Sequence, residues 1–134
     1  MGYDRLGGRS VKLEELLACA KHQDVTFKEG DILIVRFGWT KAYLALDEEG
    51  RVEWSKRRPV TLIGVQTSKE MAEWLWNTGF SAVAADTVAF ERQPFDPVGE
   101  VGGLEKYGLH ELLLGGWGMP IGKLFRNEVC TFCV

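Results

Sequence analysis

Ile32-Leu33-Ile34-Val35 is an unbroken apolar run set between Asp31 and Arg36. A strand that is apolar on both faces needs cover on both faces, so this run predicts a central strand in a sheet layered between helices. A second run, Phe80–Ala85, contains no Pro or Gly and ends at Asp86. It predicts another buried strand with a polar group at its carboxyl edge, where ligand sites of α/β proteins gather. Pro59–Val65 offers apolar surface to both sides and predicts a further strand. The fold class is therefore α/β, with buried strands flanked by helices.

The helices are marked by periodicity and punctuation. Val11, Leu13, Leu16, Leu17 and Ala20 recur at helical spacing, with Ser10 as N-cap and Glu14 and Glu15 near the positive end of the dipole. Lys41–Leu46 reads as a short helix closed by a turn at Asp47-Glu48-Glu49-Gly50. Ser68–Asn77 is the best-signalled helix, with a capping-box pattern from Thr67 and Glu70 and a stop at Thr78-Gly79. Met71, Trp74 and Leu75 share its core face. At roughly 100° per residue, Trp76 points about 200° away from Trp74 and is left for a neighbouring loop or a second subunit. Residues 1–9, with two consecutive glycines, predict a mobile start, and residues 10–134 a single domain.

Composition excludes several functions. The chain is 46% hydrophobic and 26% charged, enough apolar material for one core. A net charge of −3 argues against nucleic acid, and Lys56-Arg57-Arg58 is a short basic cluster without interleaved aromatics. No apolar run approaches a membrane span and no secretory leader is present, so a cytoplasmic protein is expected. Cys130-x-x-Cys133 has only Val134 after it, where a redox motif requires a helix; together with Cys19 these read as reduced structural thiols.

The chemistry-bearing residues concentrate between Phe80 and Phe125. Arg36, near the end of a buried strand, calls for an anion: Asp86, Glu91 or a substrate carboxylate. Trp39, in the turn after that strand, is either a stacking wall for a planar substrate or a lid on the core.

Four blocks, GDILIVRFGW (Gly30–Trp39), GVQTSKEMAEWLW (Gly64–Trp76), FSAVAADTVAFE (Phe80–Glu91) and LHELLLGGWGMPIGKLF (Leu109–Phe125), resemble the putative cyclase family, the superfamily that includes kynurenine formamidase, and its fungal-type members in particular. The resemblance implies a kynurenine formamidase/cyclase-like fold with a central mixed sheet flanked by helices, here truncated at both ends: the chain is expected to begin after an early motif and to stop before the family's last strands. It also implies metal-dependent hydrolases whose ligands come from a His-x-x-x-His-x-Asp motif, a His before a Leu-rich helix and a late Glu. His110 matches the late His. Lys123 stands where the Glu is expected, and His22 and His110 are the only histidines.

A protonated ammonium has no lone pair to offer a cation, so no bound metal and no other cofactor are expected. Lys123 is either an amine filling the place of the missing ion or a surface lysine. The reading that follows is a metal-independent cyclase, isomerase or dehydratase acting on a hydrophobic secondary-metabolite intermediate. His110 is its general acid or base, Asp86 or Glu91 orients it, and Arg36 or Lys123 stabilises negative charge. Trp39, Phe90, Trp117 and Thr87 contact the substrate. Two alternatives stand beside it: a metal-dependent amide or ester hydrolase completed by a partner chain, and a non-catalytic ligand-binding relic. A homodimer covering exposed sheet edges and Trp76 is expected.

Overall fold

The two apolar runs pair with each other in parallel, Ile32 opposite Ala82 and Val35 opposite Ala85, in the computed structural model, which describes residues 3–94 and 108–125. In chain order the elements are β1 (Ser10–Val11), α1 (Leu13–His22), β2 (Ile32–Val35), α2 (Trp39–Leu44), α3 (Glu48–Lys56), β3 (Gly64–Val65), α4 (Lys69–Thr78), β4 (Ala82–Ala85), a π-helical segment (Glu111–Gly116) and β5 (Ile121–Gly122). They form two parallel sheets, β1–β3 and β2–β4–β5, flanked by helices. The α/β expectation holds. Among the described residues, antiparallel pairing is confined to a bridge between Leu62 and Gln93.

β4 lies between β2 and β5, and its small side chains permit close pairing. A Cβ on Gly122 of β5 would come 2.8 Å from the Ala84 Cβ, so the pair is Gly against Ala by necessity. β2 is less enclosed than its sequence suggests. Leu33 and Val35 are buried, Ile34 is half-buried and Ile32 is 59% exposed; among the described residues β2 has β4 as its one strand partner.

The start of the chain departs from expectation. Ser10 does not cap α1; Ser10 and Val11 form β1 opposite Gly64 and Val65, and the helix begins at Leu13. Backbone pairing, with Gln66 donating its N–H to Val11 O at 2.8 Å, prevails over the local capping preference. Nor are residues 3–9 loose: Leu6 is buried in the core, and the Tyr3 hydroxyl donates to Phe37 O at 3.0 Å.

α3 replaces the turn expected at residues 47–50. Asp47 caps it by accepting from Gly50 N–H at 2.8 Å, and Trp54 packs edge-on against Trp39 at 5.4 Å and Tyr43 at 5.3 Å. None of its residues is buried, so it has no apolar stripe to announce it. α4 occurs as expected, but Ser68 and not Thr67 caps it, its hydroxyl accepting from Met71 N–H at 3.2 Å. Gly79 ends it in the left-handed conformation, φ 73°.

The strand expected over residues 59–65 is ordered as sheet only at Gly64–Val65. Here the chain runs against the segment from Phe90 to Gln93. Val65 N–H donates to Phe90 O at 3.0 Å and Arg92 N–H to Val65 O at 2.9 Å. A Cβ on Gly64 would sit 2.2 Å from the Glu91 carbonyl carbon, so only glycine allows the two backbones to approach. Gly64→Ala should therefore destabilise the protein by at least about 3 kcal/mol in urea unfolding. Gly115→Ala, with nothing within 4 Å of the added methyl, should change stability by less than about 1 kcal/mol.

Candidate functional site

Glu91 is a carboxylate in the core, 1% exposed. Four donors converge on its two oxygens. Thr67 Oγ1 donates at 2.9 Å, His110 N–H at 3.2 Å and His110 Nδ1 at 2.9 Å, and Leu109 N–H makes a further, short bond. Burial pushes this carboxyl up, but the bonds from the His110 ring, the Leu109 and His110 amides and Thr67 outweigh it, so its pKa lies below the ordinary 4.5. An ionised carboxylate only accepts, so in this contact Nδ1 of His110 is the donor and Nε2 is the ring nitrogen turned away from Glu91.

Local sequence explains the convergence. Thr67 precedes the Ser68 cap and turns its hydroxyl to Glu91. Gly108 leads into the π-helical segment, and a Cβ there would meet Glu91 Oε1 at 2.9 Å. The wide turn closes through Trp117 N–H donating to Leu112 O at 2.9 Å. Such π turns recur at functional sites. The His110 side chain is 23% exposed, so the ring spans buried carboxylate and solvent.

Asp86 is a second buried carboxylate, separate from this network. Its Oδ1 accepts from Phe37 N–H at 2.7 Å and its Oδ2 from Gly38 N–H at 2.9 Å. Burial dominates here and raises its pKa, opposed by those two amides and by the Arg36 charge. Of the two carboxylates weighed as partner to His110, Glu91 makes the contact. Arg36 is half-buried beside Asp86 and forms no ion pair with it within contact distance.

The remaining sequence candidates divide. Phe90 is fully buried and is core. Trp39 is 4% exposed, stacked on Tyr43 at 5.0 Å and 7° between planes, which makes it a lid on the core and not a wall open to substrate. Thr87 is fully buried and its hydroxyl finds no partner among the described residues. Lys123 is exposed, the surface position of its two readings. Trp117 is half-buried and lies 5.0 Å from Trp76, which remains 57% exposed. These two, with Leu112, Lys69, Ala72, Glu73 and Asn77, line a cavity of about 380 Å³. Cys19 is half-buried and its Sγ accepts from Gln23 Nε2 at 3.0 Å; Cys130 and Cys133 lie outside the described residues.

In the sequence Thr67 reads as a helix cap and not as a partner of Glu91, and Leu109 and Gly108 carry no signal of a site. The available signal was a Thr-Ser pair ahead of one helix, where a single residue suffices as cap.

A family model described as putative cyclase matches residues 4–92. The chain belongs to the putative cyclase family. The match includes Glu91 and ends before His110, so the two halves of the dyad come from inside and outside the matched region. A crystal structure of a novel cyclase superposes with a TM-score of 0.69 at 24% identity, covering 88% of this chain and 34% of that one. That likeness shows the fold, and the chain spans about a third of that cyclase's length. Among curated proteins nothing matches.

The metal that the family resemblance implies finds no fit in the described residues of this cyclase-family chain. Nowhere among them do three or more His, Cys, Asp or Glu side chains converge. Glu91 spends its oxygens on four donors, and Lys123 presents an exposed ammonium. Nor, among the described residues, is any helix long and apolar enough to cross a membrane.

Glu91→Gln turns an amide N–H₂ toward amide donors and should destabilise the protein by about 2–3 kcal/mol at pH 7. The depressed pKa of Glu91 means its contribution is complete above 4.5, the unfolded value, and is lost as pH falls through the folded value. The gap between wild type and variant in chemical denaturation should therefore narrow below about pH 4.

Proposed function

We propose that the chain is an acid–base catalyst of the cyclase, isomerase or dehydratase type acting on a small hydrophobic molecule, with His110 as the proton-transfer group and Glu91 as its positioning partner. The observation that carries this reading is the 2.9 Å contact from His110 Nδ1 to a carboxylate that is 1% exposed. Glu91 fixes the tautomer, so Nε2 takes a proton from substrate, and the buried negative charge stabilises the imidazolium until the proton is returned. Leu112 of the π-helical segment and Trp117 just after it line, with Trp76 and Ala72, a cavity next to this segment that His110 itself does not line; their apolar surface supports a hydrophobic substrate. Lys123, exposed, has no part in this reading.

The substrate class is accessible by comparing metabolites of cells with and without the gene. With the accumulating compound as substrate, His110→Ala should lower turnover by at least about a hundredfold, and Glu91→Gln should lower it less. Turnover unchanged in His110→Ala removes the assignment.

A second reading, an amide or ester hydrolase whose metal is completed by a partner chain in a homodimer, is favoured by the same contact. Histidines that ligate a metal commonly donate the other ring nitrogen to a carboxylate, as Nδ1 does here. Stoichiometric divalent metal in a species of twice the chain's 15.0 kDa would establish it. Metal-free, active protein from metal-supplemented growth would dispose of it.

A further inference from the structure

Arg5, Arg36 and Lys41 line one cavity of about 340 Å³, and no acidic side chain lines it with them. None of the three forms an ion pair with a carboxylate among the described residues. Like charges gathered around one cavity repel one another, and a bound anion there would relieve that repulsion.

The cluster is built, not scattered. Asp86 holds the Phe37 and Gly38 amides, and Gly38 turns in the left-handed conformation, φ 81°, between Arg36 just past the end of β2 and Lys41 on α2. Arg5 is packed onto that turn: a Cβ on Gly38 would come 2.7 Å from Arg5 Nε. Its guanidinium carbon also lies 5.4 Å from the Tyr3 ring centroid, and Tyr3 is tied to Phe37 O. The segment expected to be a loose start is thus a wall of the cavity. Phe37, Ala42 and Ala45 supply apolar lining between the charges.

Three cations line the cavity, and among the described residues the Asp86 carboxylate, held behind the Phe37–Gly38 turn, is not part of its lining. We propose that this cavity binds a small organic dianion, a phosphate monoester or a dicarboxylate, with Arg36 and Lys41 on its charged oxygens and its hydrocarbon against Ala42 and Ala45. Charge-assisted bonds from guanidinium and ammonium suit both groups.

Isothermal titration calorimetry at low ionic strength tests this with phenyl phosphate and with succinate as probes. Saturable one-site binding of either is expected, weakened about tenfold or more by Arg36→Gln and by Lys41→Gln. Lys21→Gln on α1, whose side chain is exposed, should leave it unchanged. Binding of phenyl phosphate alone identifies a phosphate ligand, of succinate alone a dicarboxylate, and of both a site for dianions in general. No saturable binding of either probe up to about 10 mM, or a loss in Lys21→Gln equal to that in Arg36→Gln, overturns the proposal. Lys41 is exposed, so its variant gives a folded test even if Arg36→Gln does not. The titration reads binding alone and stands apart from the His110 reading.

Discussion

A carboxylate buried to 1% exposure in an apolar core is tolerable only if its negative charge is met by donors, and Glu91 has four of them. That requirement ties together parts of the chain far apart in sequence. Thr67 enters α4, the Glu91 backbone lies against Val65 of β3, and Leu109 and His110 open the π-helical segment. Two glycines make room: Gly64 for the backbone of Glu91 and Gly108 for its carboxylate. Removing the charge leaves amide N–H groups buried without an acceptor. The network that places His110 is the network that closes the fold around it.

Asp86 shows how differently a similar burial resolves. It too is sequestered, 6% exposed, but its side chain accepts from two amides, and desolvation prevails, so its pKa rises where that of Glu91 falls. The difference lies in donor number and in the presence of a histidine ring. Asp86 shapes the Phe37–Gly38 turn and so the cation-lined cavity, while Glu91 shapes the imidazole. The two carboxylates share no donor, and of the two it is Glu91 that contacts His110.

What was legible in the sequence follows from how local each signal was. β2 and β4 are readable because a short unbroken apolar run without Pro or Gly is a strand signal, and α4 because its stripe, cap region and terminating glycine agree. β1 is two residues long and exists only through pairing with residues 64 and 65, so Ser10 looked like a helix cap. α3 buries none of its residues, and its Asp47 cap resembled a turn. His110 was found through the resemblance, and Glu91 was one of two carboxylates offered for it. Choosing between them depends on a contact across 19 positions, which no local pattern encodes. Lys123, Trp39 and Phe90 could be assigned only once their exposure was known, since a side chain's type does not say on which side of the core it lies.

The central claim is that an ionised, buried Glu91 holds the proton of His110 on Nδ1. Nitrogen-15 NMR of the histidine ring at neutral pH tests it most directly. The account predicts a slowly exchanging Nδ1–H on His110 that is lost in Glu91→Gln. A ring protonated on Nε2, or one whose two nitrogens average freely in the wild-type protein, would contradict it.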